Sequence, residues 1–131
     1  MQSEGVPVTA TRSRIGFGAA LIRALRLSFR KRGRASRPEF WYFFLAYVPF
    51  VLVIGIIEAA VDEEWVRTIG TLLYLPWVVP FVSVGVRRLH DTGRSGWWCV
   101  GIISCIGWLL LLMFWSERGK AGENRFGPPP R

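Results

Sequence analysis

The chain alternates long apolar runs with short charged ones, and the apolar runs set its architecture. Phe40–Ile57, "FWYFFLAYVPFVLVIGII", carries no charge in 18 residues. Thr68–Val86, "TIGTLLYLPWVVPFVSVGV", and Trp97–Trp115, "WWCVGIISCIGWLLLLMFW", are each uncharged for 19. A bilayer takes roughly 20 apolar residues to cross. None of the three keeps the polar face that a core helix of a small soluble protein would show. The pattern predicts an all-α integral membrane protein with three transmembrane helices, near 38–58, 66–87 and 96–115.

Ahead of the first run the period changes. Residues 1–11 are polar and are expected to be disordered. Over 12–32 the pattern is amphipathic: at ~100° per residue, Ile15, Gly18, Ile22, Leu25 and Phe29 share one side, with Arg12, Arg23, Arg26 and Arg30 on an adjoining sector. A basic amphipathic segment without acids predicts an interfacial helix lying on an anionic membrane surface. Each arginine there contributes on the order of 1 kcal/mol. A transit peptide is the rival reading, since such peptides are also arginine-rich and acid-poor. Gly33 permits a break, and Ser36 with Glu39 reads as a capping box around Pro38, so the first span starts near Arg37. Residues 33–130 then make the membrane domain, with a polar C-terminal tail over 116–131.

Composition supports this picture and adds a direction. The 131 residues suffice for one domain, 51% of them hydrophobic, with a formal net charge of +8. Mean hydropathy is +0.30 with an isoelectric point near 10.7, an unusual pairing for a soluble domain. Nine of the 17 basic residues lie in the first 38 positions. Such asymmetry points to a membrane or a nucleic acid, and arginines at helical period with apolar partners suit the bilayer, leaving nucleic acid unlikely. By the positive-inside rule, three spans place the N-terminus and the Arg87–Arg94 loop in the cytoplasm and the C-terminus outside. Cys99 and Cys105 fall within the third run, about 9 Å apart by helical rise. They read as small apolar fillers and say nothing about compartment.

Candidate chemistry concentrates in "RRLHDTGRSGWW", Arg87–Trp98. With three spans it becomes a tight cytoplasmic loop, in which Arg87, Arg88 and Arg94 can meet lipid phosphates. Asp91 and Gly93 supply turn chemistry, Ser95 an N-cap, and Trp97 and Trp98 interfacial anchors. His90 and Asp91 are adjacent in the chain, so they do not orient each other as a catalytic base and its partner do, and one histidine is too few for a metal site. No catalytic residue, metal or cofactor is expected. The histidine beside an aspartate among arginines still exceeds what a turn requires, which leaves room for a phosphate-bearing headgroup held by the arginines. The acidic stretch "EAAVDEEW" reads as a solvated loop, except that Glu58 ends the first apolar run and ionisable groups there are often functional. Pro76 and Pro80 share a face of the second span and predict a kink or cavity.

Three separated stretches carry a resemblance. "GRASRPEFWYFF" at Gly33–Phe44, "RRLHDTGRSGWW" with the following "IGW", and "GENRFGPPP" at Gly122–Pro130 are similar, in that order, to the YhaH-like bacterial inner-membrane family called domain of unknown function 805. The resemblance covers Gly33 to Pro130 and does not extend to the basic N-terminal segment. It implies a small multi-pass protein of the bacterial plasma membrane, and no established activity or catalytic residue to carry over. The expected function is a non-enzymatic membrane protein binding anionic lipid headgroups or a membrane-protein partner through its basic cytoplasmic face. The alternative is a subunit of an oligomeric small-solute transporter or channel, with Glu58, Pro76, Pro80 and His90 along a polar path.

Overall fold

The computed structural model describes residues 15–29 and 33–130, which are all-helical apart from one isolated pair between Asn124 and Gly127. Four α-helices follow in order: α1 (Phe17–Arg26), α2 (Arg37–Ala60), α3 (Glu64–Asp91) and α4 (Cys105–Ser116), with a 3₁₀ segment at Gly96–Ile103 before α4. The disordered stretch expected at 1–11 lies outside the described residues, as do 12–14 and 30–32 of the expected surface helix.

Gly33 takes φ +102°, the left-handed conformation that lets the chain turn into α2. The Ser36 side chain then accepts from the Glu39 amide at 3.3 Å, with Pro38 in the first turn. At about 1.5 Å per residue, α2 and α3 rise about 36 and 42 Å, enough to cross a hydrocarbon layer of about 30 Å. Their most apolar windows are only 17% and 33% buried within the protein. Core helices of a soluble protein would be mostly covered, and these two are mostly uncovered. Pro49, Pro76 and Pro80 all sit inside helices that continue through them.

The third apolar run is not one spanning helix. The 3₁₀ segment's eight residues and α4's twelve rise only about 16 and 18 Å. The chain reverses at Ser104, whose extended backbone ends one segment while its hydroxyl caps the next, accepting from the Gly107 amide at 3.0 Å. A Cβ added to Gly101 would stand 3.3 Å from the Gly107 Cα, and one on Gly107 would strike the Gly101 carbonyl. Glycines six residues apart touch only if the backbone folds back on itself. Trp108 lies beside Phe81, ring centroids 6.5 Å apart, about 15 Å along α3 from its C-terminal end. The hairpin therefore enters part-way and returns to the end it came from. The tail follows it: the Lys120 amide donates to the Asp91 carbonyl at 3.0 Å. A tail outside and an Arg87–Arg94 segment inside are incompatible with that bond.

The buried core gathers at the same end. Phe40, Phe43, Val84, Leu89, Leu111 and Trp115 are almost fully covered. The Trp115 indole donates to the Gly85 carbonyl at 3.1 Å and lies against Phe40 at 4.5 Å. Helix α1 docks beside α2 and α3 through Ala20 and Ala24, while Phe17, Ile22, Leu25 and Phe29 face outward. Of the side expected to meet a membrane, Ile22, Leu25 and Phe29 are left uncovered by the protein, while the Phe17 ring lies against Tyr42 at 5.7 Å.

Candidate functional site

The residues of "RRLHDTGR" do not form a loop. Helix α3 runs through Asp91, and only Thr92–Ser95 is non-helical, with Gly93 at φ +82°. Arg87 and Arg88 occupy the last turns of α3, 1% and 0% exposed. They face inward because two carboxylates and a row of carbonyls meet them there, which corrects the expectation that they point at lipid phosphates.

Two ionic clusters result. In the first, Arg34 donates from Nε to Asp91 Oδ1 at 2.8 Å and from Nη1 to the Gly122 carbonyl at 2.6 Å, with the Gly127 carbonyl at 3.4 Å. Its Nη2 serves the Lys120 carbonyl. Arg88 grips the other carboxylate oxygen of Asp91, and its remaining donors reach the Trp115 carbonyl at 3.0 Å and the Glu117 carbonyl. Arg37 adds a bond to the Glu117 carbonyl at 2.9 Å. Asp91 was expected to cap backbone amides; two guanidinium groups claim it instead. In the second cluster Arg87 donates to Glu39 Oε1 at 2.7 Å, and Arg23 of α1 approaches Oε2 at 3.4 Å. Glu39 is fully buried, so its side chain ties α1 and α3 together and does not reach back over its own helix. Nε and Nη2 of Arg87 have no hydrogen-bond partner among the described residues.

At the edge of this knot Arg94 makes a bidentate pair with Glu117 at 2.6 and 2.9 Å and lies 4.0 Å over the Phe114 ring. The His90 ring stacks on Phe126 at 3.8 Å and 4°. Its Nδ1 meets the Gly33 carbonyl at 3.3 Å, which makes Nδ1 the protonated nitrogen. Asn124 donates to the His90 carbonyl at 2.9 Å. His90 lies beyond the apolar run, which ends at Val86. Burial lowers its pKa below the usual histidine value; the Gly33 bond opposes this and the Arg125 charge reinforces it. Imidazole and Asp91 carboxylate thus have separate partners.

The remaining candidates lie apart. Trp97 and Trp98 are on the hairpin, 82% and 49% exposed. Glu58 is near the far end, its Oε1 buried without a hydrogen-bond partner among the described residues and packed where a Cβ on Gly70 would fall. Pro76 is exposed and Pro80 buried along α3. Pro76, Pro80 and His90 follow one another along α3, and Glu58 meets that helix at Gly70. Sequence reading missed Arg34, Glu117, Asn124 and Phe126, and read Glu39 only as a cap. The three similar stretches were the signal available, because all three converge on this knot.

Comparisons with known proteins match the same region. Residues 28–128 fit the family described as protein of unknown function (DUF805). The chain is 44% identical to "Inner membrane protein YhaH" of Escherichia coli (strain K12) over 108 residues, 76% of this chain and 86% of that protein. It is 37% identical to "Inner membrane protein YhaI" of the same strain over 100 residues, 76% of this chain and 84% of that one. "Uncharacterized protein YiiR" is 32% identical over 88 residues. No solved structure matches.

Proposed function

The chain belongs to the DUF805 family, and on that premise we propose a non-enzymatic plasma-membrane protein whose basic end rests on anionic lipid headgroups. The basic end faces the cytoplasm. The observation that carries this reading is α1: it is fastened by Ala20, Ala24 and the Arg23–Glu39 pair, yet turns Phe17, Ile22 and Leu25 outward beside exposed Arg26. An apolar stripe next to cations suits the boundary between acyl chains and phosphates. The headgroup-facing charge moves from Arg87 and Arg88, which are used internally, to α1 and the exposed Arg118, Lys120 and Arg125 of the tail.

The test is the depth of α1. A polarity-sensitive dye on Ile22→Cys, in a chain with Cys99 and Cys105 replaced by alanine, is read in vesicles of phosphatidylcholine with rising phosphatidylglycerol. Blue-shifted emission that strengthens with phosphatidylglycerol is expected. Water-like emission at every composition overturns the reading. The transport alternative has only the buried Glu58 carboxylate in its favour.

A further inference from the structure

A groove on the hairpin and a set of unpaired cations meet at the Thr92–Ser95 turn. The groove, about 340 Å³, runs from the Gly101–Gly107 contact between Trp97, Trp98 and Leu110, with Ser95 among its lining. That volume falls within the ~300–1,000 Å³ range of small-ligand sites. Its walls belong to the uncharged third run, so the groove lies in the apolar layer. Its Ser95 end is different. Lys120 packs over Gly93, which has no Cβ to hold it away, and Arg125 Nη2 reaches the Gly93 carbonyl at 3.4 Å. Arg94 stacks on Phe114, whose ring meets Trp98 of the groove at 5.3 Å. Glu117 answers Arg94. Lys120 and Arg125 are exposed and have no carboxylate partner among the described residues.

An apolar slot with a doubly cationic mouth matches one kind of molecule: an apolar chain that ends in an anion. We propose that the groove holds an acyl chain of one anionic phospholipid, with the phosphate at Lys120 and Arg125. A second copy of the chain, itself carrying +8, is the poorer electrostatic match. The proposal rests on the lipid-facing reading of the basic end and narrows it to one lipid class at one site.

The full chain in detergent is mixed with phosphatidylglycerol or with phosphatidylcholine of the same acyl chains, and retained lipid is counted by native mass spectrometry. One phosphatidylglycerol is expected, retained at least about fivefold better than phosphatidylcholine, whose choline offsets its phosphate; that is the factor one cation beside a net anionic headgroup supplies. Lys120→Gln with Arg125→Gln should abolish that preference. Leu110→Trp, which fills the groove, should lower retention of both lipids. Equal retention of the two lipids by the wild type, or a preference unchanged in the double variant, overturns the proposal; unchanged retention in Leu110→Trp overturns the groove as the site. The double variant changes only exposed side chains and decides alone if Leu110→Trp does not fold. A negative result here with α1 still seeking phosphatidylglycerol removes the groove and leaves the broader reading standing; both negative removes both.

Discussion

Arg34 serves the Asp91 carboxylate and carbonyls of Lys120, Gly122 and Gly127 with a single planar group. Arg34→Ala strands one buried carboxylate against Arg88 alone and unpairs tail carbonyls. Breaking a buried pair from one side costs about 3–5 kcal/mol, so a large loss of thermal stability in detergent is expected. Arg34→Lys should recover little, because an ammonium is a point charge without the fork; full recovery would show that charge alone matters. His90 gives a second residue-level expectation. Its folded pKa is lowered, so the folded state holds the neutral ring against Phe126 and Gly33. Stability is then complete above the unfolded value near 6.5 and falls as pH drops through it toward the lower folded value. Unfolding temperatures at pH 7.5 and 5.5 should separate more in the wild type than in His90→Phe, which keeps the stack without the proton.

At the level of elements, the hairpin shows where hydropathy stops informing. Runs at 40–57 and 68–86 became α2 and α3 because nothing in them halts a helix for good. The run at 97–115 is just as apolar, but Ser104 caps a new helix and Gly101 and Gly107 let the limbs touch, and no window average registers a reversal. Those small residues serve a contact within the chain. The stretch 87–98 reads from the sequence as facing outward, since its partners such as Arg34, Glu39 and Glu117 lie 23 to 57 residues away. Separation along the chain hides such pairs, whereas Ser36, Gly33 and Gly93 act locally and were legible. The hairpin predicts an asymmetry between glycines. Gly107→Ala must push the Gly101 carbonyl aside and should cost about 1–3 kcal/mol, as overpacking does. Gly55→Ala, with nothing within 4 Å of the new Cβ, should be neutral or stabilise α2 by up to about 1 kcal/mol. Equal losses at both positions would mean the limbs do not touch.

For the whole molecule, the hairpin removes a conflict in the charge distribution. With three crossings, the tail's Arg118, Lys120, Arg125 and Arg131 would all lie outside, against the positive-inside tendency. Two crossings and a returning hairpin would put the 16 of 17 basic residues that lie before Pro38 or after Val86 in the chain on one side of a membrane, and Arg67 alone on the other. The acidic Asp62 and Glu63 lie in the connection of α2 to α3, with Glu64 and Arg67 in the first turn of α3 beside them. On the reading proposed above, so lopsided a count predicts the knot, α1 and the tail on the cytoplasmic side. Single cysteines at Asp62 and Ala121, both exposed positions, in a chain lacking Cys99 and Cys105, test this with an impermeant maleimide on intact spheroplasts. Asp62→Cys should label at once and Ala121→Cys only after permeabilisation. Labelling of both in intact spheroplasts would restore a third crossing and require the tail to leave Arg34. Because Arg34, Arg37 and Arg88 hold that tail by its carbonyls, such a crossing would leave three guanidinium groups without their present partners, and the stability measured for Arg34→Ala would then match that of the wild type.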